Sequence, residues 1–80
     1  MKITIALFGI TKEIIEGSSL TYELADGSSV SSLLTSLYGN YPKLQQLKSL
    51  LVAVNSEYAE SEQVLNENDE IALIPPVSGG

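Results

Sequence analysis

The chain has no cysteine, no histidine and no arginine in its 80 residues. Without cysteine there are no disulfides, thiolate nucleophiles or thiolate metal sites. Without histidine, acid-base chemistry near neutral pH would need a strongly shifted Glu, Asp or Lys, and no tight cluster of these is visible. A carboxylate metal site would likewise need a cluster that Asp26, Asp69 and the scattered glutamates do not offer, so no metal is expected. Cations are scarce: four lysines stand against ten acidic residues, for a net charge of −6. Phosphate backbones and anionic bilayers bind cationic surfaces, which argues against nucleic acid and membrane as partners. A protein with a basic docking face is the better match, although such an excess also keeps a small domain soluble. No apolar run is long enough for a signal peptide or membrane helix, and Met1-Lys2-Ile3 leads straight into a strand pattern, so a cytoplasmic protein is expected.

What is present is concentrated at the end of the chain, Pro75-Pro76-Val77-Ser78-Gly79-Gly80. The two prolines fix φ and hold the preceding residues extended, so the run leaves the last strand as a stiff segment. Gly79 and Gly80, lacking Cβ atoms, can enter a channel too narrow for side chains and bring a terminal carboxylate close to another backbone. Six extended residues reach roughly 20 Å, far enough to enter a partner's active site. A frayed linker is the plainer reading of a Gly-Gly end. Stiffening by Pro-Pro directly after a hydrophobic strand argues against it.

Eighty residues make one domain, expected over residues 1–74, with residues 75–80 as its extended tail. Residues Lys2 to Phe8 alternate, with Ile3, Ile5 and Leu7 on one face, as in a half-buried strand. Alternation puts Phe8 on the opposite face, and the pattern alone leaves two readings open: core packing after a bulge, or an exposed anchor for a partner. Gly9 to Gly17 is a connection with helical character around Lys12 to Ile15. Ser19 to Leu24 alternates again and pairs best with the first strand as an antiparallel hairpin. After the Asp26-Gly27 turn, Ser29 reads as an N-cap. Val30, Leu33, Leu34, Leu37, Tyr38 and Tyr41 then form one apolar helical stripe, with Gly39-Asn40 as the expected stop and Pro42 beyond it. Pro42 to Leu51 suggests a short second helix. The apolar run Leu51 to Val54 predicts a strand covered on both faces or lying deep in the sheet. Glu57 to Ala59 is a brief strand after the Asn55-Ser56 turn. Val64 and Leu65 are both expected to dip into the core, and Asn68 to take positive φ in the turn before the last strand, Glu70 to Ile74.

A hairpin, a helix across the sheet and returning strands make a two-layer α+β arrangement. The first and last strands can then lie side by side and parallel, with Phe8 and Ile74 together on the face away from the helix and Tyr58 near them.

The ending Ala72-Leu73-Ile74-Pro75-Pro76-Val77-Ser78-Gly79-Gly80, with Asn68-Asp69-Glu70 and Val52-Ala53-Val54-Asn55 before it, resembles the small, sulfur-carrier subunits of molybdopterin synthase. The resemblance extends to Phe8-Gly9, Lys12-Glu13, Gly17, Asp26-Gly27 and Tyr41-Pro42. The chain departs from that family at Ser56 and Asn68, where glycine is frequent. The resemblance implies a ubiquitin-like β-grasp fold, a mixed sheet of four to five strands with one main helix packed across one face.

It also implies a chemistry. A partner adenylyltransferase of the ubiquitin-activating type uses ATP and magnesium to convert the Gly80 carboxylate into an acyl-adenylate. A persulfide donor then supplies the sulfur of a Gly80 thiocarboxylate, and the tail inserts into the large synthase subunit to deliver sulfur to cyclic pyranopterin monophosphate. Gly80 is the carrier atom's residue, Gly79 gives clearance, and Pro75, Pro76, Val77 and Ser78 set reach and direction. Phe8, Tyr58 and Ile74 match positions of apolar contact with the partner. No cofactor is expected on this chain itself, whose role is that of a carrier beside a catalytic large subunit in a heterotetramer. A sulfur carrier for thiamine biosynthesis, with the same fold and activation, and a ubiquitin-like protein modifier are the alternatives.

Overall fold

The computed structural model describes residues 1–76. Five strands and two helices follow in the order β1 (Lys2–Leu7), α1 (Ile10–Ile15), β2 (Ser19–Glu23), α2 (Val30–Asn40), β3 (Leu51–Val54), β4 (Glu57–Tyr58) and β5 (Glu70–Ile74), with a 3-10 helix at Pro42–Gln46. The strands make one mixed sheet in the order β2-β1-β5-β3-β4. β1 and β5 run parallel at its centre, with Ile5 opposite Ile71 and Leu7 opposite Leu73. The other pairings are antiparallel. This is the ubiquitin-like β-grasp arrangement expected from the sequence.

Alternation decides which side chains reach the helix layer. Ile3, Ile5 and Leu7 of β1, Val52 and Val54 of β3, and Ile71 and Leu73 of β5 are all buried. Against them packs the α2 stripe, of which Val30, Leu33 and Leu37 are buried and Leu34 and Tyr38 partly so. Each such aliphatic side chain contributes about 1.5–3 kcal/mol by leaving water, so this one interface dominates the stability of a domain this small.

The ends of α2 have separate physical causes. At its start, the Ser29 hydroxyl accepts from the Ser32 amide at 3.2 Å, while the Val30 and Ser31 amides donate to the carbonyls of Gln63 and Ser61. The helix's otherwise orphaned first amides are thus satisfied. At its end, the helix passes through Gly39 and Asn40 and stops at Tyr41, whose φ of −131° and ψ of 76° are non-helical. The helix therefore ends at Asn40, within the expected Gly39-Asn40 stop, and Pro42 fixes that end because the residue before a proline is driven out of the helical region. Tyr22 of β2 is tied to α2 by its hydroxyl, 2.6 Å from the Ser36 Oγ and accepting from Asn40 Nδ2.

Four expectations change. The predicted second helix is only the 3-10 segment, which buries Leu44. Leu51–Val54 lies inside the sheet, between β5 and β4, which bears out one of its two expected readings, while the other, cover on both faces, fails because Leu51 is 48% exposed. Val64 is 53% exposed and bridges Ser29, so only Leu65 enters the core. Positive φ falls at Asn55 (53°) and Ser56 (71°), and Asn68 has no positive φ. Val54 pairs directly with Glu57, leaving a two-residue hairpin connection, and the right-handed twist of such a pair demands left-handed backbone at both linking residues. Among the described residues no helix is long and apolar enough to cross a membrane.

Candidate functional site

Among the described residues the sheet face opposite α2 carries no second layer. Across it, register sets Ala6 opposite Ala72, Ala72 opposite Ala53 and Ala53 opposite Tyr58, one row of small side chains ending in an aromatic. In the next row Leu51 stands opposite Ile74, and Phe8 follows Leu7 at the same end of the sheet. Phe8 is 47% exposed and Tyr58 70%, while Ile74 is half-buried. A shallow depression of about 210 Å³ is lined by Ala6, Phe8, Ala53 and Ala72, with Ser56 and Glu70 toward its far edge. Phe8 therefore lies outside the core, and the core-packing reading is set aside. The three residues singled out from the sequence share this face, with Phe8 and Ile74 at the tail end and Tyr58 on the far strand.

Phe8 is aimed by its own turn. The buried Thr11 hydroxyl accepts from the Phe8 amide at 2.9 Å and donates to the Phe8 carbonyl at 2.5 Å. One side chain thus satisfies both backbone groups as β1 ends, so the chain turns into α1 without a buried unpaired donor. Gly9 follows with φ of 55° and ψ of −134°, a conformation open to residues lacking Cβ. A Cβ on Gly9 would stand 3.1 Å from Pro75 Cγ. The first tail proline is thus seated against the turn that presents Phe8.

Pro75 and Pro76 are partly buried at the root of the tail. Val77, Ser78, Gly79 and Gly80 lie outside the described residues. Sequence reasoning missed Leu51, the alanine row, Thr11 and the Gly9–Pro75 contact. A small residue directly after an outward-facing aromatic and a hydroxyl three positions later were the available signals.

Fold and face together define a β-grasp domain with an open apolar sheet surface beside Pro75 and Pro76. The chain is 44% identical over 80 residues to the molybdopterin synthase sulfur carrier subunit of Dictyostelium discoideum, covering 95% of this chain and 93% of that one. SAMP1 from Haloferax volcanii is 26% identical with a TM-score of 0.83 over 100% of both chains. A third relative, 22% identical with a TM-score of 0.68 over 100% of both chains, was solved within a complex of subunits 1 and 2 of the molybdopterin-converting factor from Helicobacter pylori. A family model, that of the ThiS family, matches residues 5–80. The chain belongs to the ThiS family.

Proposed function

We propose that this chain is the sulfur carrier of a molybdopterin synthase, with Gly80 as the residue that holds the sulfur. The supporting observation is the family match running through residue 80, together with the named role of the Dictyostelium relative. A carboxylate is a poor electrophile and is ionised at neutral pH, so it needs activation. In the proposed cycle a Gly80 carboxylate oxygen attacks the α-phosphorus of ATP, held with magnesium by a ubiquitin-activating-type adenylyltransferase, and pyrophosphate leaves. A persulfide sulfur then attacks the acyl carbon and AMP leaves. A thiol cleaves the resulting acyl persulfide, taking the donor sulfur into a disulfide and releasing the Gly80 thiocarboxylate.

The large subunit would then receive the tail while the open face carrying Phe8, Leu51, Ile74 and Tyr58 docks against it. Pro75 to Ser78 supply reach, and Gly79 fits the narrow approach. Tethering raises the effective concentration of sulfur at the pterin acceptor, and catalytic side chains belong to the partner. ATP and magnesium are thus cofactors of the activating enzyme, and the cytoplasm is the expected compartment.

The test is the intact mass of the chain after incubation with ATP, the activating enzyme and a persulfide donor with thiol. A gain equal to exchanging one oxygen for sulfur, absent when Gly80 is deleted, is the expected result. An unchanged mass with an enzyme competent on a control carrier would refute the proposal. A covalent adduct through a lysine of another protein would instead favour a ubiquitin-like modifier.

A further inference from the structure

An open sheet has two edges, and here they are unequal: β4 is two residues long and β2 is five. β2 carries none of the devices that keep an edge from pairing. Ser19-Leu20-Thr21-Tyr22-Glu23 has no proline and no lysine, and its register with β1 runs without a bulge. Its free backbone groups follow from the pairing on its other side. Met1 and Leu24 exchange bonds, the Met1 amine donating at 2.6 Å and the Leu24 amide at 2.9 Å, and the Leu7 amide donates to the Ser18 carbonyl at 3.0 Å. Bonded pairs alternate with unbonded ones in an antiparallel ladder, so Leu20 and Tyr22 bond to β1 while the amides and carbonyls of Ser19, Thr21 and Glu23 point outward.

Charge is scarce on this flank. Between Asp26 and Lys43 no residue is charged, and that stretch includes the whole of α2. α2 stands over β2 through the Tyr22 hydroxyl, which meets Ser36 and Asn40. β2 itself brings only Glu23, which lies opposite Lys2 on β1. Two chains of net charge −6 repel each other, and they do so least where this flank of one meets the same flank of the other.

We propose that the β2 edge pairs antiparallel with the β2 edge of a second copy of this chain, about a two-fold axis at Thr21. In that register Thr21 faces its own counterpart and each Ser19 faces the Glu23 of the other copy, so every outward amide and carbonyl of both strands finds a partner. Sliding the strands either way leaves outward groups unpaired, and the register that sets the two Glu23 side chains face to face adds a like-charge contact. Centred on Thr21, the two Glu23 residues stand about 14 Å apart along the strands, beyond the Debye length of ~8 Å. On the helix side Leu20 faces Tyr22 of the other copy, an aliphatic–aromatic pair made twice. The pairing does not use the face that carries Phe8, Leu51, Ile74 and Tyr58, and it is independent of the carrier reading. One short strand pair lies at the small end of interfaces, so a weak dimer with a Kd on the order of 0.1–1 mM is expected.

Sedimentation equilibrium and amide hydrogen exchange of the full chain, at concentrations from well below that Kd to several times above it, test this. The average mass should rise toward that of two chains, and further with added salt, which screens the net repulsion. Exchange at Ser19, Thr21 and Glu23 should slow about 2–4-fold by mass action, while Leu20 and Tyr22, already bonded to β1, stay unchanged. Ser19 is exposed, so charge there leaves the core intact. Relative to the same changes at the exposed Gln45, Ser19→Lys should tighten the dimer and Ser19→Glu should weaken it, each by roughly 2–30-fold, through two cross-strand charge pairs with Glu23. A monomer mass throughout, protection at residues other than these three, or Ser19 variants that behave as their Gln45 counterparts would overturn the proposal. Protection of the three amides that appears only when another protein is added would overturn it too, by assigning the edge to a strand of that protein.

Discussion

Replacing Phe8 by lysine separates its two surfaces, the half of the ring that rests on the domain and the half that faces solvent. A phenylalanine side chain buries roughly 150–250 Å² when fully covered. With 47% of Phe8 exposed, roughly 70–120 Å² remains for a partner to cover. At ~25 cal/mol per Å² that area is worth about 2–3 kcal/mol, or roughly a 20–150-fold change in Kd. Lysine keeps an aliphatic stem that can lie where the inner half of the ring lay, while its ammonium stays in water. The folded chain should therefore lose no more than about 1 kcal/mol, a drop in Tm of roughly 4–8 °C for a domain of this length. Docking must either strip water from the ammonium or forgo the contact, so the affinity loss is at least the apolar estimate. Calorimetric titration of the large synthase subunit, with thermal melts of the free chain alongside, measures both. Val64→Lys is the control, because Val64 is as exposed as Phe8 but sits beside Ser29 at the start of α2. An unchanged Kd for Phe8→Lys would remove the open face as the docking surface, and a collapse of Tm would return Phe8 to the core.

Deleting Gly80 should leave Tm within a degree or two, since chain ends contribute little to stability, and should abolish the mass gain on charging; a truncated chain that still acquires sulfur would refute Gly80 as carrier. Thr11→Val keeps the shape of a buried side chain but leaves the Phe8 amide without its acceptor, at a cost of about 1–3 kcal/mol that chemical denaturation will show. Thr11→Ser should recover most of that loss, and equal stability of the valine variant would mean the hydroxyl carries none of the turn. Ser56→Gly should stabilise by about 0.5–1 kcal/mol, because a left-handed residue with a Cβ costs about 1–2 kcal/mol and glycine gives back part of this as unfolded-state entropy. A lower Tm would show that the Ser56 side chain contributes more than its backbone costs.

The sheet was legible where one physical requirement selected the residue. Alternation in Lys2–Leu7 and Glu70–Ile74 follows from burial of one face only, and the α2 stripe from contact with a single layer. The Leu51–Val54 run located an interior strand but overstated its cover, because hydrophobicity reports only that a side chain can leave water, and Leu51 on the outer face is 48% exposed. Val64 and Leu65 are adjacent in extended backbone, where one faces in and the other out, and two aliphatic residues carry no mark of which is which. Gly39 has a low helix propensity, but its cost of about 1 kcal/mol is outweighed by the core packing of Leu37 and Tyr38 just before it. The site was legible in part for the same reason: Phe8 and Ile74 stand out as apolar residues on the wrong face, whereas Thr11 and Gly9 act through backbone geometry that pattern alone does not express.

In the proposed cycle, the position of β5 sets the base from which the tail starts. β5 is held by ladders on both sides, to β1 through Leu73 and to β3 through Ile74, so the backbone that enters Pro75 is fixed up to the last paired residue. An arm leaving an edge strand would begin on a base that frays, and its tip would sample a volume set by the fraying as well as by its own bonds. From the centre of the sheet only residues after the ladder contribute to that search, and the two prolines narrow it further. The effective concentration of a group on the tip rises as the sampled volume shrinks. Stability of the sheet and delivery by the arm are thus coupled at Ile74: a change that weakens its pairing with Leu51 should lower transfer before it lowers the melting temperature, because the last ladder pair opens long before the core does.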